Sequence, residues 1–160
     1  MRGRQLRTPE GDAATDVVLS TFRSNGLFLA AGDILAAGEG LTAARWQVLG
    51  ALALAERALT VPQIARRMGL TRQAVQASVN RLRSEELVDA DENPDHRRSP
   101  LIRMTELGAA KYAALEQRQI DWINDLASGL KRSELATAAR VLQELSKRLD
   151  ANASKRRKER

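Results

Sequence analysis

The fold is decided by residues 60–104, which read TVPQIARRMGLTRQAVQASVNRLRSEELVDADENPDHRRSPLIRM. Thr60 is a good helix cap, and Gln63 stands three residues later, where its side chain completes a capping box. Pro62 lies in the first turn, where its missing N–H breaks no hydrogen bond. Gly69 ends this short helix, because glycine adopts the left-handed conformation without strain. The stretch therefore opens with a short helix and a tight turn.

A second helix and a hairpin follow this turn. Thr71 caps the second helix, which we call the reading helix and which continues to about Glu86. The segments 87–91 and 101–104 are predicted strands, and a polar loop at 92–100, the wing loop, joins them. A helix, a turn, a helix and a hairpin in this order predict a winged helix-turn-helix. The expected fold class is mostly α with a small β-wing.

The reading helix has two contrasting sides at 3.6 residues per turn. Val75, Val79 and Leu82 fall on the side predicted to be core. Amide side chains can pair with adenine in a major groove, and a polar or basic residue at the helix start can meet phosphate or guanine. The predicted DNA contacts are Thr71, Arg72, Gln73, Gln76 and Asn80. The simpler alternative is that these polar side chains only face water.

The wing loop carries two adjacent arginines, Arg97 and Arg98, beside the single histidine of the chain, His96. Arginines on a turn can enter the minor groove or clamp the flanking phosphates, so we predict DNA contacts from both. The alternative is a solvated turn rich in charge. One histidine without further ligands at suitable spacing does not form a metal site, so we expect no metal and no cofactor.

The composition narrows the class of protein. The chain of 160 residues has 43% hydrophobic but only 3% aromatic residues and no cysteine, which suits a helical core and excludes disulfides. No apolar run is long enough to span a membrane, so we expect a cytoplasmic protein with no membrane partner. The net charge of +6 is weak support for DNA binding, because residues 60–104 contribute +2 and residues 151–160 contribute +4.

The flanking segments divide the chain further. We expect a disordered basic lead at 1–12, an N-terminal dimerisation helix within 13–40, the winged helix-turn-helix at 41–104, C-terminal dimerisation helices within 105–150 and a basic tail at 151–160. Thr105 and Ser133 are the predicted caps of the two C-terminal helices. Their apolar stripes exceed what one small domain can bury, which predicts a homodimer rather than a monomeric helical hairpin. The basic tail is read as solvated, with non-specific phosphate contact as the alternative.

These motifs together resemble the MarR family of bacterial transcription regulators. The matching segments are Leu41-Thr42 through Trp46 and Leu49, the helix-turn-helix at 61–86, Glu86-Leu87-Val88, the wing, and Thr-Glu-x-Gly at 105–108. The resemblance spans roughly residues 30–150. It implies a winged-helix homodimer whose first and last helices interlock. The two reading helices would then enter successive major grooves of a pseudo-palindromic operator in double-stranded DNA, as in a sequence-specific repressor.

The resemblance also implies release from DNA by a small, frequently aromatic effector that enters the cleft between the dimer helices and the DNA-binding lobe. Phe22, Phe28, Arg45 and Trp46 are expected to lie nearest that cleft. The alternative is a winged-helix DNA-binding or protein-interaction module with no ligand response. We do not expect an enzyme, because the sequence shows no nucleophile–base pair, phosphate-binding glycine loop or metal-ligand cluster.

Two residues depart from the pattern of the family. His96 stands where many members have an aspartate that braces the wing arginine, and Asp95 next to it is the expected substitute. Ala77 stands where many members have an arginine that contacts DNA. The second departure implies either weaker phosphate binding or greater reliance on Gln73, Gln76 and the wing for contact with DNA.

Overall fold

The computed structural model describes residues 7–158, with side chains described for 7–153 and 155. This part of the chain forms six helices and one two-stranded antiparallel sheet. In chain order the elements are α1 Pro9–Ala37, α2 Ala43–Ala53, α3 Val61–Met68, α4 Arg72–Ser84, β1 Val88–Asp91, β2 Leu101–Met104, α5 Glu106–Ala127 and α6 Arg132–Lys158. The predicted fold class, mostly α with a small β-wing, is confirmed. The chain divides into two compact units, residues 1–119 and 120–160.

The caps predicted around the helix-turn-helix are present. The Thr60 hydroxyl accepts from the Gln63 N–H at 3.4 Å, and the Gln63 side chain accepts from the Thr60 N–H at 2.8 Å, which is a capping box. Gly69 takes the left-handed conformation, with φ of 64°. The Thr71 hydroxyl accepts from the Ala74 N–H at 3.1 Å and so starts α4, the reading helix. Local sequence therefore sets both ends of the turn.

The core of the first unit joins α2, α3 and α4 to the sheet. Its largest fully buried side chains are Val48, Leu49, Leu59, Ile64, Val75, Val79, Leu82, Leu87, Val88, Ile102 and Leu115. In the sheet, Val88 pairs with Met104 and Asp91 with Leu101. Leu59 adds a bridge on the free side of β2, since it exchanges two backbone hydrogen bonds with Ile102, at 3.0 and 2.8 Å. The sequence analysis did not anticipate this bridge, which ties the start of α3 to the wing.

The first helix begins earlier than expected. Residues 9–12 were predicted to belong to a disordered lead, but they form the first turn of α1. Thr8 caps that turn by accepting from the Gly11 N–H at 3.1 Å, and Pro9 occupies a position where its missing donor costs nothing. The prediction was wrong because a cap followed by proline starts a helix as well as it marks a loop. Of the rest of the predicted lead, residues 7 and 8 precede the helix and residues 1–6 lie outside the described residues.

Of the two C-terminal helices, the second differs from its predicted bounds. Thr105 precedes α5 as predicted, and α5 ends at Ala127, with Gly129 following at φ of 81°. Helix α6 begins at Arg132, so Ser133 lies inside the helix and is not its cap. The helix then continues to Lys158, so residues 151–158 of the predicted tail are helical. No proline or glycine interrupts residues 131–158, which explains the continuation.

Gly108 allows α5 to approach the turn that follows the reading helix. A Cβ at this position would overlap the backbone carbonyl of Leu87 and lie 3.0 Å from the Met104 side chain. The cap of α5 sits at the same place, because the Thr105 hydroxyl accepts from the Gly108 N–H at 3.0 Å and donates to the Glu86 carbonyl at 2.8 Å. A backbone atom cannot move aside as a flexible side chain would, so this position needs glycine.

We expect Gly108→Ala to lower the free energy of unfolding by about 2 kcal/mol or more, since overpacking against a fixed backbone costs on this scale. Chemical denaturation of both proteins measures the difference. Gly26→Ala is the matched control, because nothing lies within 4 Å of a Cβ at Gly26 in the middle of α1. Alanine should stabilise that helix by up to about 1 kcal/mol. Equal stability of Gly108→Ala and wild type would contradict the close approach.

Candidate nucleic-acid interface

The reading helix α4 presents one apolar and one polar side, as the sequence predicted. Val75, Val79 and Leu82 are buried in the core. The opposite side is exposed along its whole length. The exposed residues include Thr71, Arg72, Gln73, Gln76, Ala77 and Asn80, followed by Arg81 and Ser84. Burial of the apolar side therefore fixes which side chains α4 can offer to a binding partner.

Two amides on the exposed side of α4 orient each other. The Gln76 Nε2 donates to the Asn80 Oδ1 at 2.9 Å, one helical turn away. The Gln76 carbonyl oxygen and the Asn80 N–H donors stay available to a partner. A base edge such as that of adenine offers a donor and an acceptor side by side, which suits this arrangement.

The N-terminal end of α4 is suited to a phosphate. The Thr71 hydroxyl oxygen caps the helix by accepting from Ala74, so its O–H remains available to donate. Arg72 stands exposed at the first helical position, and no acidic residue lies in the first turn. The helix macrodipole adds partial positive charge at the same end. Helix geometry, a hydroxyl and a guanidinium thus favour an anion here.

Asn93 holds the wing loop in shape from inside. The residue is only 8% exposed. The Nδ2 donates to the Ser99 carbonyl at 2.8 Å, and the Oδ1 accepts from the Asp95 N–H at 3.1 Å. The Asn93 carbonyl also accepts from the His96 N–H at 3.1 Å, and the His96 carbonyl accepts from the Ser99 N–H at 2.9 Å. These bonds close the loop on which the two wing arginines stand.

Arg97 and Arg98 are exposed on the wing loop. Within residues 7–158, neither guanidinium forms an ion pair with a carboxylate. The expectation that Asp95 braces a wing arginine is therefore wrong: its carboxylate is exposed and pairs with neither guanidinium, and only its backbone N–H bonds within the loop, to Asn93. The two guanidiniums can donate to a nucleic acid without first breaking an ion pair.

The ion pair of the wing lies on its strands instead. Arg103 of β2 bonds Asp89 and Asp91 of β1, each at 2.8 Å. The antiparallel register explains the contact, since Arg103 stands opposite Asp89 and two residues from the position opposite Asp91. This contact was not predicted from the sequence, although charges of opposite sign at alternate positions of two paired strands indicate it.

A cleft of about 290 Å³ brings the reading helix and the wing together. Its lining consists of Val61, Pro62, Arg72, Gln73, Gln76, Arg98, Ser99 and Pro100. Four predicted DNA contacts, three from α4 and one from the wing loop, therefore border one depression. The start of α3 forms its third side. The wing and α4 thus belong to a single surface. A DNA duplex lying on it would meet both elements, each at one of two neighbouring grooves.

A second, basic cleft lies on α3 and was not singled out in the sequence. It encloses about 320 Å³ and is lined by Arg57, Leu59, Gln63, Arg66 and Arg67. The adjacent arginines Arg66 and Arg67 lie in the last turn of α3, where the helix dipole favours cations. The helix dipole alone explains why these two arginines stand there, without a role in binding.

The four residues expected near an effector cleft lie on two helices, two on α1 and two on α2. Phe22 and Phe28 are exposed on α1, at 71% and 52%. Trp46 is half-buried against the core and lies beside Gly32. The Arg45 Nη1 donates to both carboxylate oxygens of Glu85, at 2.8 and 2.6 Å, so this guanidinium already has a partner. Effector contact by these four residues stays a prediction.

The described residues offer neither a metal cluster nor a membrane span. No group of three histidine or carboxylate side chains among them is placed to hold a metal ion. None of the helices between residues 7 and 158 combines the length and the apolar character needed to cross a bilayer.

Comparison with known proteins identifies the family. The family model described as the MarR family matches residues 39–99, from before α2 to the wing loop. The uncharacterized protein Rv2011c of Mycobacterium tuberculosis is 43% identical over 124 residues, which cover 78% of this chain and 85% of that protein. The chain belongs to the MarR family of transcription regulators.

Solved structures of MarR-family proteins share the fold. The regulator AbsC of Streptomyces coelicolor superposes with a TM-score of 0.75 at 15% identity, covering 92% of this chain and 99% of that one. A mutant of MarR from E. coli, solved in complex with operator DNA, gives a TM-score of 0.66 at 23% identity and covers 80% of this chain and 94% of that one. At these identities the likeness shows the MarR fold alone.

We expect Asn93→Ala to loosen the wing loop while the core stays folded. The Ser99 carbonyl loses its donor and the Asp95 N–H its acceptor, so amide hydrogen exchange at Asp95 and Ser99 should accelerate about tenfold or more, as for a local opening. Exchange at Val79 in the core should not change. Asn152→Ala, an exposed asparagine on α6, is the control. Unchanged exchange in the wing loop would show that Asn93 does not hold it.

Proposed function

We propose that this chain is a dimeric, sequence-specific DNA-binding regulator that acts as a repressor in the bacterial cytoplasm. The observation that carries the proposal is the surface around the 290 Å³ cleft. It places the exposed amides and arginine of α4 beside Arg98, a wing arginine with no ion pair to a described carboxylate. A MarR neighbour that was solved with operator DNA supports the same use of the fold.

We assign base reading to the amides along α4 and contact with the DNA phosphates to the N-terminal end of the helix. Gln73, Gln76 and Asn80 are exposed amides that can pair with base edges in a major groove. Thr71 and Arg72 stand at the positive end of the helix, where phosphate binds well. In this arrangement Ala77 leaves room for a thymine methyl or for close approach of the helix to the groove.

The exposed apolar side chains support a dimer. Helix α1 exposes Val18, Leu19, Phe22, Leu27 and Ile34, the last at 79%. In residues 120–160 the exposed apolar side chains include Ile120, Ile123, Leu126, Leu130, Leu135, Leu142 and Leu149. Single exposed apolar residues are common, but series of this kind along helices mark a surface that another chain covers. A two-fold dimer would set two reading helices about 34 Å apart and require two half-sites.

Release by a small aromatic effector is the regulatory part of the proposal. A ligand shifts DNA affinity only if it binds two arrangements of the reading helices with different affinity. Phe22, Phe28 and Trp46 offer aromatic surface for such a ligand, whereas Arg45 is engaged by Glu85. The alternative is a winged-helix module with no ligand response. A screen of aromatic acids and phenols for loss of the DNA band shift separates the two.

Selection of bound fragments from genomic DNA tests the proposal directly. The expected result is a small set of fragments that share two inverted half-sites, with centres about 10 base pairs apart. Half-sites that overlap promoter elements would support repression, because a bound dimer then excludes the polymerase. Recovery of fragments without a shared sequence would contradict sequence-specific binding.

We expect Arg97→Ala/Arg98→Ala to weaken operator binding about 100-fold, because two charge-assisted hydrogen bonds to DNA are lost. The slope of log K against log salt should fall by about 2. Fluorescence anisotropy over a salt series measures both quantities. Since both side chains are exposed, the melting temperature should stay near that of the wild type.

Arg66→Ala/Arg67→Ala is the matched control for the wing. It removes the same charge from another exposed arginine pair, which borders a different cleft. Its effect on the operator should stay within about threefold, because charges without DNA contact are largely screened at physiological salt. Equal losses in the two double variants would mean that total charge, not wing contact, determines affinity.

A further inference from the structure

Glu85 lies at the end of the reading helix where its charge is unfavourable. It is the C-terminal cap residue of α4, where the helix macrodipole places partial negative charge. Its side chain is only 26% exposed, so water compensates it incompletely. A carboxylate at this place needs cations that are fixed nearby, and the structure supplies two.

Arg45 of α2 is the principal partner of Glu85. Its Nη1 reaches both carboxylate oxygens, at 2.8 and 2.6 Å, and its side chain is 14% exposed. The Arg81 Nε also bonds Glu85 at 2.7 Å, but Arg81 is exposed and the pair lies within one helical segment. Such pairs contribute little and cannot fix the helix relative to the rest of the molecule. Arg45 therefore makes the contact that joins α4 to another element.

Arg45 is itself anchored at the turn between α1 and α2. Its Nη2 donates to the Gly40 carbonyl at 2.8 Å. The neighbouring Glu39 fixes that turn, because its carboxylate accepts from Arg118 at 2.8 Å and its carbonyl accepts from Lys111 at 2.6 Å. Charge-assisted hydrogen bonds thus link α5 to Glu39 and, through the adjacent Gly40, link the turn to Arg45 and the C-terminal end of α4. The turn that carries the Gly40 carbonyl, to which Arg45 donates, is therefore held in place.

We infer that Arg45 and Glu85 are positioning residues for DNA reading, which set the tilt of α4 from the end opposite its first DNA contacts. The inference rests on the proposed function. Helix α4 has 13 residues and is therefore about 20 Å long, so a small rotation at Glu85 displaces Arg72 and Gln73. Base contacts need placement to within about 0.5 Å, whereas flexible arginines on phosphates tolerate more.

The test is the sign of the change in DNA affinity for Glu85→Gln. Loss of a negative charge by itself would tighten binding to a polyanion. Loss of positioning should instead weaken binding to the selected operator about tenfold, as expected if about one tenth of the molecules hold α4 correctly. Binding to unrelated DNA of equal length should stay the same or tighten. Anisotropy titrations well below the melting temperature measure both affinities.

Two further variants and a control complete the experiment. Arg45→Gln should produce the same loss, and Arg45→Gln/Glu85→Gln should lose no more than either single variant, because the residues act as a pair. Glu144→Gln removes the same formal charge from an exposed pair on α6, where the hydrogen bond from Arg148 lowers the pKa of Glu144. This control should bind the operator as the wild type does.

The outcomes separate the inference from the function on which it rests. Wild-type or tighter operator binding by Glu85→Gln overturns the inference, and so does an equal loss on operator and unrelated DNA. If wild type itself shows no sequence preference, the proposed function fails first. Should Glu85→Gln not fold, Arg45→Lys decides, since lysine keeps the charge but lacks the planar guanidinium whose two nitrogens reach Glu85 and Gly40 separately. Wild-type discrimination in Arg45→Lys would then overturn the inference.

Discussion

The burial of one side of the reading helix is the constraint on which the rest of the structure depends. Val75, Val79 and Leu82 are at most 1% exposed, and each buried side chain of this kind contributes about 1.5–3 kcal/mol. An exposed ion pair contributes about 0–1 kcal/mol, so the apolar side decides how α4 rotates about its axis. The outward direction of Gln73, Gln76 and Asn80 follows from it.

Packing settles the rotation of α4 but leaves its tilt to other contacts. The bridge between Leu59 and Ile102 ties the start of α3 to the wing, and Gly108 brings α5 against the Leu87 carbonyl. The Arg45–Glu85 pair acts at the far end of α4. The surface proposed to bind DNA is thus held by backbone hydrogen bonds, close packing and an ion pair, each from a different part of the chain.

The net charge of the chain does not show where its charges lie. The net charge of +6 arises mostly from residues 151–160, which belong largely to the end of α6. Within the winged helix the cations fall into two groups. Arg45, Arg81 and Arg103 are engaged by carboxylates, while the remaining arginines are exposed and form no ion pair within the described residues. This second group consists of Arg57, Arg66, Arg67, Arg72, Arg83, Arg97 and Arg98. Only the second group can bind phosphate without giving up a carboxylate.

The sequence alone determined the local features of this protein. Caps at Thr60 and Thr71, the left-handed Gly69 and the apolar period of α4 depend on neighbours a few residues away, so helix, turn, helix and hairpin could be predicted together with the exposed reading side. The tertiary structure decided what depends on distant partners. Arg45 meets Glu85 forty residues on, and the wing ion pair forms through strand register rather than through Asp95. Sequence spacing does not specify such contacts, because folding alone brings these side chains together.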